Sequence, residues 1–123
     1  MSEGFRDLKV YKLSFDLVMN IFRLSKGFPK EEIYSLTDQI RRASRSVCTN
    51  IAEAYRKRVY PKHFVSKLTD ADGECSETIV WLDFALHCEY ISKENYELII
   101  NQYSEVGRML GSMMLHPEKF APK

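Results

Sequence analysis

Apolar residues recur at steps of three and four along most of the chain, which predicts four helices over about residues 6–26, 35–57, 61–89 and 92–115. Gly27-Phe28-Pro29 ends the first helix, and the stretch Ser35 to Asp38 reads as a capping box. Pro61 and Ser92 suit the starts of the third and fourth helices. No stretch alternates like a strand. Four helices of about 20 residues with short loops predict an all-α fold in one domain, 1–123, an antiparallel up-down-up-down four-helix bundle.

The first helix carries two apolar stripes whose centres lie about 150° apart. One stripe contains Leu8, Tyr11, Phe15, Val18, Met19 and Phe22, and the other contains Val10, Leu13, Leu17, Ile21 and Leu24. A surface helix of a monomer needs one such stripe. We therefore expect Val10, Leu13, Leu17 and Ile21 to pack against another subunit. The alternative is that a loop or the termini cover the second stripe.

The second helix carries two parallel rows of residues. The apolar row is Leu36, Ile40, Ala43, Val47, Ile51 and Ala54, and the polar row beside it is Gln39, Arg42, Ser46, Asn50 and Glu53. Such an ordered polar row predicts partial burial with hydrogen-bond partners, the alternative being ordinary surface polarity. Antiparallel pairing with the third helix places Arg42 level with Glu77, which predicts an ion pair within one chain or across a subunit contact.

The third helix is expected to have a core stripe from Phe64 to Leu86, broadened by Trp81, Phe84 and Cys88 near its end. Gly73 in this helix, and Gly107 and Gly111 in the fourth, predict close approach of another backbone or a large side chain.

The composition, with a net charge of +1 over 123 residues, is typical of a soluble globular protein. No apolar run is long enough to span a membrane, and the start of the chain resembles no signal peptide. The three cysteines form no C-x-x-C pair, so we expect free thiols in a reducing cytoplasm.

Charge is distributed unevenly along the predicted bundle. One end would hold ten basic residues against Glu3, Asp7, Glu53 and Glu118; the ten are Arg6, Lys9, Lys12, Arg56, Lys57, Arg58, Lys62, Lys67, Lys119 and Lys123. This pattern favours phosphate binding, with Lys9, Lys12, Arg56, Lys57, Arg58, Lys62 and Tyr60 as candidate contacts and with Tyr55 and His63 available to stack on bases. The alternative is a solvated bundle end. Arg41 and Arg45, on the outer face of the second helix, would meet either phosphate or, as we favour, acidic residues of a neighbouring subunit.

Catalytic and metal-binding patterns are missing from the sequence. The Glu-x-x-His pairs of di-iron bundles are absent, no glycine-rich phosphate loop is present, and no His has a neighbouring nucleophile with a third orienting group. We therefore expect no enzyme, no cofactor, no metal and no small-molecule substrate.

The residues Gln39 to Ala43, Ser46-Val47 and Asn50 to Glu53 resemble the signature of bacterial four-helix-bundle proteins encoded in 23S rRNA intervening sequences. Phe64, Ala71, Gly73 and Glu77, together with the opening stretch 5–11, are similar to the same family, whereas Ala54 and Glu74 depart from its usual Gly and Ser. The resemblance implies an antiparallel bundle assembled as a homopentameric ring, and it brings no catalytic residues. A relative, the accessory protein of diversity-generating retroelements, is a basic pentamer that binds nucleic acid and a reverse transcriptase.

Taken together, the residues and the resemblance predict a non-enzymatic, pentameric helical scaffold that binds RNA or other nucleic acid through its basic end. The alternative is a structural or protein-interaction ring without a nucleic-acid role.

Overall fold

The computed structural model describes residues 4–123, which form four helices: α1 (Lys9–Ser25), α2 (Leu36–Arg56), α3 (Pro61–His87) and α4 (Lys93–Leu115). Short 3-10 turns lie at Gly4–Asp7, Lys30–Glu32 and Pro117–Lys119. The predicted all-α four-helix bundle is confirmed, and the described residues contain no strand. No helix within them is long and apolar enough to cross a membrane.

Each helix packs on its neighbours in sequence, and α1 also packs on α4, which closes the bundle. The core contains large side chains from all four helices that are at most 1% exposed, among them Leu17, Ile40, Phe64, Leu82 and Tyr103. Short loops force sequence neighbours to run antiparallel, so chain ends and loops alternate between the two ends of the bundle.

The predicted subunit contact along α1 is wrong for most of its residues. Val10, Leu17 and Ile21 are at most 3% exposed in a single chain, and Leu13 packs against the same core. They are covered because α1 packs on both α2 and α4. The prediction had assumed that one apolar stripe is enough for a helix of a monomer. In the other stripe, Phe15 is 47% exposed, whereas Val18 is buried.

The predicted starts of α2, α3 and α4 are confirmed, and one of the predicted helix caps is wrong. Pro61 is the first residue of α3, and Ser92 Oγ accepts a hydrogen bond from the Asn95 N–H at 3.0 Å. Ser35 makes no capping bond with its side chain. Instead, Glu32 supplies the carboxylate at the start of α2 and accepts hydrogen bonds from Ser35 Oγ at 2.6 Å and from the Leu36 N–H at 3.4 Å.

The glycines and the end of α3 also differ from expectation. A Cβ at Gly73 or Gly111 would meet nothing within 4 Å in the described chain, and one at Gly107 would lie 3.9 Å from Asp72 Oδ1. Close helix approach therefore does not explain these glycines within one protomer. Phe84, expected in the core, is 54% exposed, and Cys88 is exposed as well.

Candidate nucleic-acid interface

The start of α1, the end of α2 and the start of α3 meet at one end of the bundle. This basic end carries Lys9 and Lys12 on α1, Arg56 at the last residue of α2, Lys57 and Arg58 just after it, and Lys62 on α3. The 3-10 turn at residues 4–7 packs on α2, and the turn at 117–119 packs on α3 and α4. The up-down topology thus brings together cations that are more than 40 residues apart in sequence.

Five of these cations lie free on the surface. Lys9, Lys12, Arg56, Lys57 and Lys62 are exposed, and none forms an ion pair within 4.0 Å among the described residues. Unpaired cations that share one surface repel each other and favour an anionic partner.

Arg58 is held in place more firmly than the other predicted contacts. Its guanidinium lies 4.0 Å from the centroid of the Tyr55 ring, and its Nη1 donates a hydrogen bond to the Tyr55 carbonyl at 2.9 Å. The side chain is half-buried and its orientation is fixed by the turn after α2. A pre-oriented guanidinium loses less conformational entropy when it binds a phosphate.

Lys67 belongs to the basic residues of this end by sequence, but its charge is neutralised locally. Its Nζ lies 2.8 Å from Glu53 Oε2 and 3.9 Å from Asp70 Oδ2, and it donates to Asn50 Oδ1 at 3.5 Å. The hydrogen bond to Glu53 raises the pKa of Lys67, and the same bond lowers the pKa of Glu53. Lys67 therefore adds no free cation to the interface, and Glu3, also counted in sequence, lies outside the described residues.

Aromatic side chains accompany the charges. Tyr60 is 64% exposed, and its ring lies 5.8 Å from that of His63 at 84°. The sequence pattern did not single out a second group, in which the rings of Phe5 and Tyr11 are 5.0 Å apart and the Arg6 guanidinium lies 4.7 Å from the Phe5 centroid. No helical spacing could reveal this group, because a 3-10 turn carries Phe5 back onto α1.

The predicted polar row on α2 is largely exposed, and the predicted ion pair between Arg42 and Glu77 does not form within one chain among the described residues. Arg42, with a side chain 75% exposed, pairs at 3.0 Å with Asp38 one turn earlier and not with Glu77. Arg42 and Glu77 instead line a surface groove of about 510 Å³ between α2 and α3, together with Gln39 and Ser46. Only Ser46 and Asn50 are half-buried, and the Asn50 amide donates to the Ser46 carbonyl at 2.9 Å. The antiparallel register of α2 and α3 does place Arg42 and Glu77 on the same groove. Arg42 nevertheless pairs with Asp38, whose carboxylate lies one turn away on the same helix.

Arg41 and Arg45 surround an aromatic ring of α1. The Arg41 and Arg45 guanidinium carbons lie 4.8 Å and 6.0 Å from the Phe22 centroid, and Lys26 Nζ lies 4.7 Å from it. Arg41 Nε also donates to Ser25 Oγ at 2.8 Å. None of the three cations has a carboxylate within 4.0 Å in the described chain. This cluster is a second cationic surface, separate from the basic end.

The described residues contain no group of three His, Cys, Asp or Glu placed to hold a metal ion. Burial raises the pKa of the Cys48 and Cys75 thiols to about 12, so both are protonated at neutral pH and poor nucleophiles.

Comparisons with known proteins concern the family and the fold of the chain. The family model described as 23S rRNA-intervening sequence protein matches residues 6–112. A crystal structure of a protein with unknown function from the S23 ribosomal protein family of Bacteroides thetaiotaomicron is 32% identical, with a TM-score of 0.77. That similarity covers 85% of this chain and 94% of the other. No curated protein matches the sequence.

Proposed function

The chain belongs to the 23S rRNA-intervening sequence protein family, and from this membership we propose that it is a non-enzymatic, homopentameric helical scaffold that binds RNA or another nucleic acid through its basic end. The observation that carries the proposal is the set of five exposed cations, contributed by three helix ends, that form no ion pair within 4.0 Å among the described residues.

The basic end offers two kinds of contact that nucleic acids require. Lys9, Lys12 and Lys62 would neutralise phosphates as flexible point charges, whereas Arg58 presents a guanidinium already oriented by Tyr55. The exposed Tyr60 ring would stack on an unpaired base. Such contacts read no base edges, so we expect affinity for structure and charge rather than for one sequence.

In a ring, several basic ends would act together. Five linked sites raise the effective concentration of each contact for a long RNA, so modest affinity per protomer becomes strong overall binding. With Val10, Leu17 and Ile21 buried in one chain, Arg41 and Arg45 beside Phe22 remain the candidate subunit contacts. Acidic side chains of a neighbour would complete this cationic cluster.

Fluorescence anisotropy with a labelled RNA hairpin across a salt series tests nucleic-acid binding. We expect a steep linear fall of log affinity with log salt, because phosphate contacts release counterions. Changing Arg56, Lys57 and Arg58 together to Glu should abolish binding. The matched control changes the exposed residues Arg23, Lys30 and Lys93 to Glu, which alters net charge equally away from the basic end and should leave most of the affinity.

Light scattering of both variants and of the unaltered protein tests the assembly. A pentamer has five times the 14.4 kDa mass of the chain, and both variants should retain it. A pentamer with no RNA affinity, or with affinity that does not depend on salt, would instead favour the ring that binds only proteins. A monomer at micromolar concentration would contradict the scaffold itself.

A further inference from the structure

A surface cavity lies at the end of the bundle opposite the basic end. It has a volume of about 390 Å³ and lies between the start of α2 and the last turns of α3. Its walls include Glu32, Tyr34, Leu36, Gln39, Trp81 and Phe84. The volume falls in the range of small-ligand sites, and the mixture of aromatic walls with a few polar groups is typical of them.

Three aromatic side chains, Tyr34, Trp81 and Phe84, line the cavity. The rings of Trp81 and Phe84 lie 5.9 Å apart with an angle of 33° between their planes. Phe84 is 54% exposed and Tyr34 is 91% exposed, so neither is used to fill the core of its own chain. Large aromatic rings that are exposed to solvent at a concave site indicate a binding surface, because burying them against a partner is energetically favourable.

A carboxylate completes the wall. Glu32 accepts hydrogen bonds from Ser35 Oγ, the Leu36 N–H and Tyr90 Oη, and these bonds lower its pKa, so it is ionised at neutral pH. Three of about four acceptor positions are thereby occupied and one remains. Among the described residues, no lysine or arginine lines the cavity, and Glu31, next to Glu32 in sequence, is exposed.

Aromatic faces and a carboxylate attract the same kind of group, a cation on an apolar stem. Ring faces carry negative quadrupole potential, and a planar guanidinium stacks on them better than a strongly hydrated ammonium does. The remaining acceptor position of Glu32 and the side-chain carbonyl of Gln39 would each take one N–H. We propose that this cavity binds an arginine side chain of a partner protein.

The assignment is independent of the proposed nucleic-acid function, because the two surfaces lie at opposite ends of the bundle. A protein with an exposed arginine in a basic segment fits by charge, since Glu32 lines the cavity and the exposed Glu31 is its neighbour in sequence. An RNA strand does not fit, because phosphates would meet these carboxylates.

Trp81 is the only tryptophan of the chain, so its intrinsic fluorescence reports on this cavity alone. The probe is acetyl-Gly-Arg-Gly-amide, and the same peptide with citrulline is the neutral, nearly isosteric control. We expect a saturable change in Trp81 fluorescence at millimolar arginine peptide, with the citrulline peptide at least 10-fold weaker. Phe84→Ala should weaken the arginine peptide about 5-fold, within the range of a cation–π contact.

Phe15→Ala is the matched variant, because Phe15 on α1 is exposed to a similar degree, 47%, but lies outside the cavity. It should leave the titration unchanged. Glu32→Gln would test the carboxylate, but it removes a helix cap as well, so its fold must be checked by circular dichroism. Phe84 is exposed and caps no helix, so Phe84→Ala is the cleaner test.

Equal responses to the arginine and citrulline peptides, or a response that Phe84→Ala does not change, would overturn the proposal. A Trp81 signal that changes on dilution of the protein alone, together with loss of the oligomer in Phe84→Ala, would also overturn it. In that case a second copy of the chain covers the cavity. RNA affinity should be the same in Phe84→Ala as in the unaltered protein, so failure here leaves the basic end untouched.

Discussion

Tyr90 donates a hydrogen bond from Oη to Oε2 of Glu32 at 2.8 Å, across 58 residues of sequence. The other oxygen of the same carboxylate accepts from Ser35 Oγ and from the first N–H of α2. Tyr90 itself follows Glu89, whose φ of 63° turns the chain sharply after α3. One carboxylate thus joins the loop before α2 to the loop after α3, at the end that carries the aromatic cavity.

Stability in acid should depend on Glu32. Hydrogen bonds from Ser35 and then Tyr90 lower its pKa from the usual 4.5, so the folded state favours the ionised form. The resulting stabilisation is complete above the unfolded-state pKa and is lost as pH falls through the lower folded-state pKa. We expect the Tm of the unaltered protein to fall more steeply between about pH 5 and pH 3 than that of Glu32→Gln.

Thermal melts followed by circular dichroism measure this difference. The exposed neighbour Glu31→Gln is the control and should keep the steep profile. Tyr90→Phe should lower the slope partially, because one of the donors to Glu32 is lost. Parallel profiles for Glu32→Gln and the unaltered protein would show that the carboxylate does not hold the two loops together.

Leu17 should stabilise the single chain rather than an assembly. It is 1% exposed in the core, so Leu17→Ala should lower the free energy of unfolding by about 2–5 kcal/mol. Phe15→Ala, on the outward side of the same helix, should cost less than about 1 kcal/mol in a protomer. Urea unfolding at two protein concentrations is the measurement. A loss for Leu17→Ala that appears only on dilution would place Leu17 at a subunit contact after all.

The periodicity of apolar residues was sufficient to predict most of the fold, because each helix has its own apolar rows and clear signals at its ends. Pro61 and Ser92 are local signals, and both acted as predicted. The α1 stripe of Leu17 was assigned to the wrong partner because a helix wheel shows that two faces are apolar but not which neighbours cover them. The Glu32 cap was missed because it lies three residues before Ser35, in a 3-10 turn whose position depends on contacts with α2 and with Tyr90.

The candidate site was predictable in its location and not in its details. The up-down order of the helices is enough to predict that Lys9 and Arg56 lie at the same end of the bundle, whatever their side-chain conformations. Which cations remain unpaired depends on rotamers, and so the neutralisation of Lys67 by Glu53 could not be read from spacing alone. The same limit applies to Arg42, where a carboxylate one turn away competes with the one across the groove.

Arg42→Ala should change stability little. The pair with Asp38 is solvent-exposed, and such pairs within a helix contribute about 0.3–0.5 kcal/mol. We therefore expect a loss below about 1 kcal/mol in chemical denaturation, in contrast to the several kcal/mol that a buried pair with Glu77 would imply. Asp38→Ala should give a similar value, and Glu77→Ala should be neutral in one protomer. A large, coupled effect of Arg42 and Glu77 in a double-mutant cycle would show that assembly buries them.

Gly73→Ala should stabilise the protomer. Gly73 is exposed within α3, and a Cβ there meets nothing within 4 Å. Alanine should therefore gain up to about 1 kcal/mol of stability through helix propensity. Gly4→Ala is the contrasting control, because Gly4 has a φ of +69° and alanine would be strained there. If Gly73→Ala lowered stability and reduced the mass in light scattering, a neighbouring subunit would have to lie against this face of α3.

Tyr60→Ala should separate stacking from charge at the basic end. The Tyr60 ring is 64% exposed beside His63, so its removal should leave the fold intact. Base stacking contributes about 1–3 kcal/mol per base, so we expect affinity for a single-stranded oligonucleotide to fall at least about fivefold. Affinity for a duplex should change little, because its bases are not available to the ring. Tyr34→Ala, which removes a 91% exposed tyrosine at the opposite end, should not affect either ligand. Equal losses for single strand and duplex would mean that Tyr60 only orders the basic turn, and the phosphate contacts would then account for all of the binding.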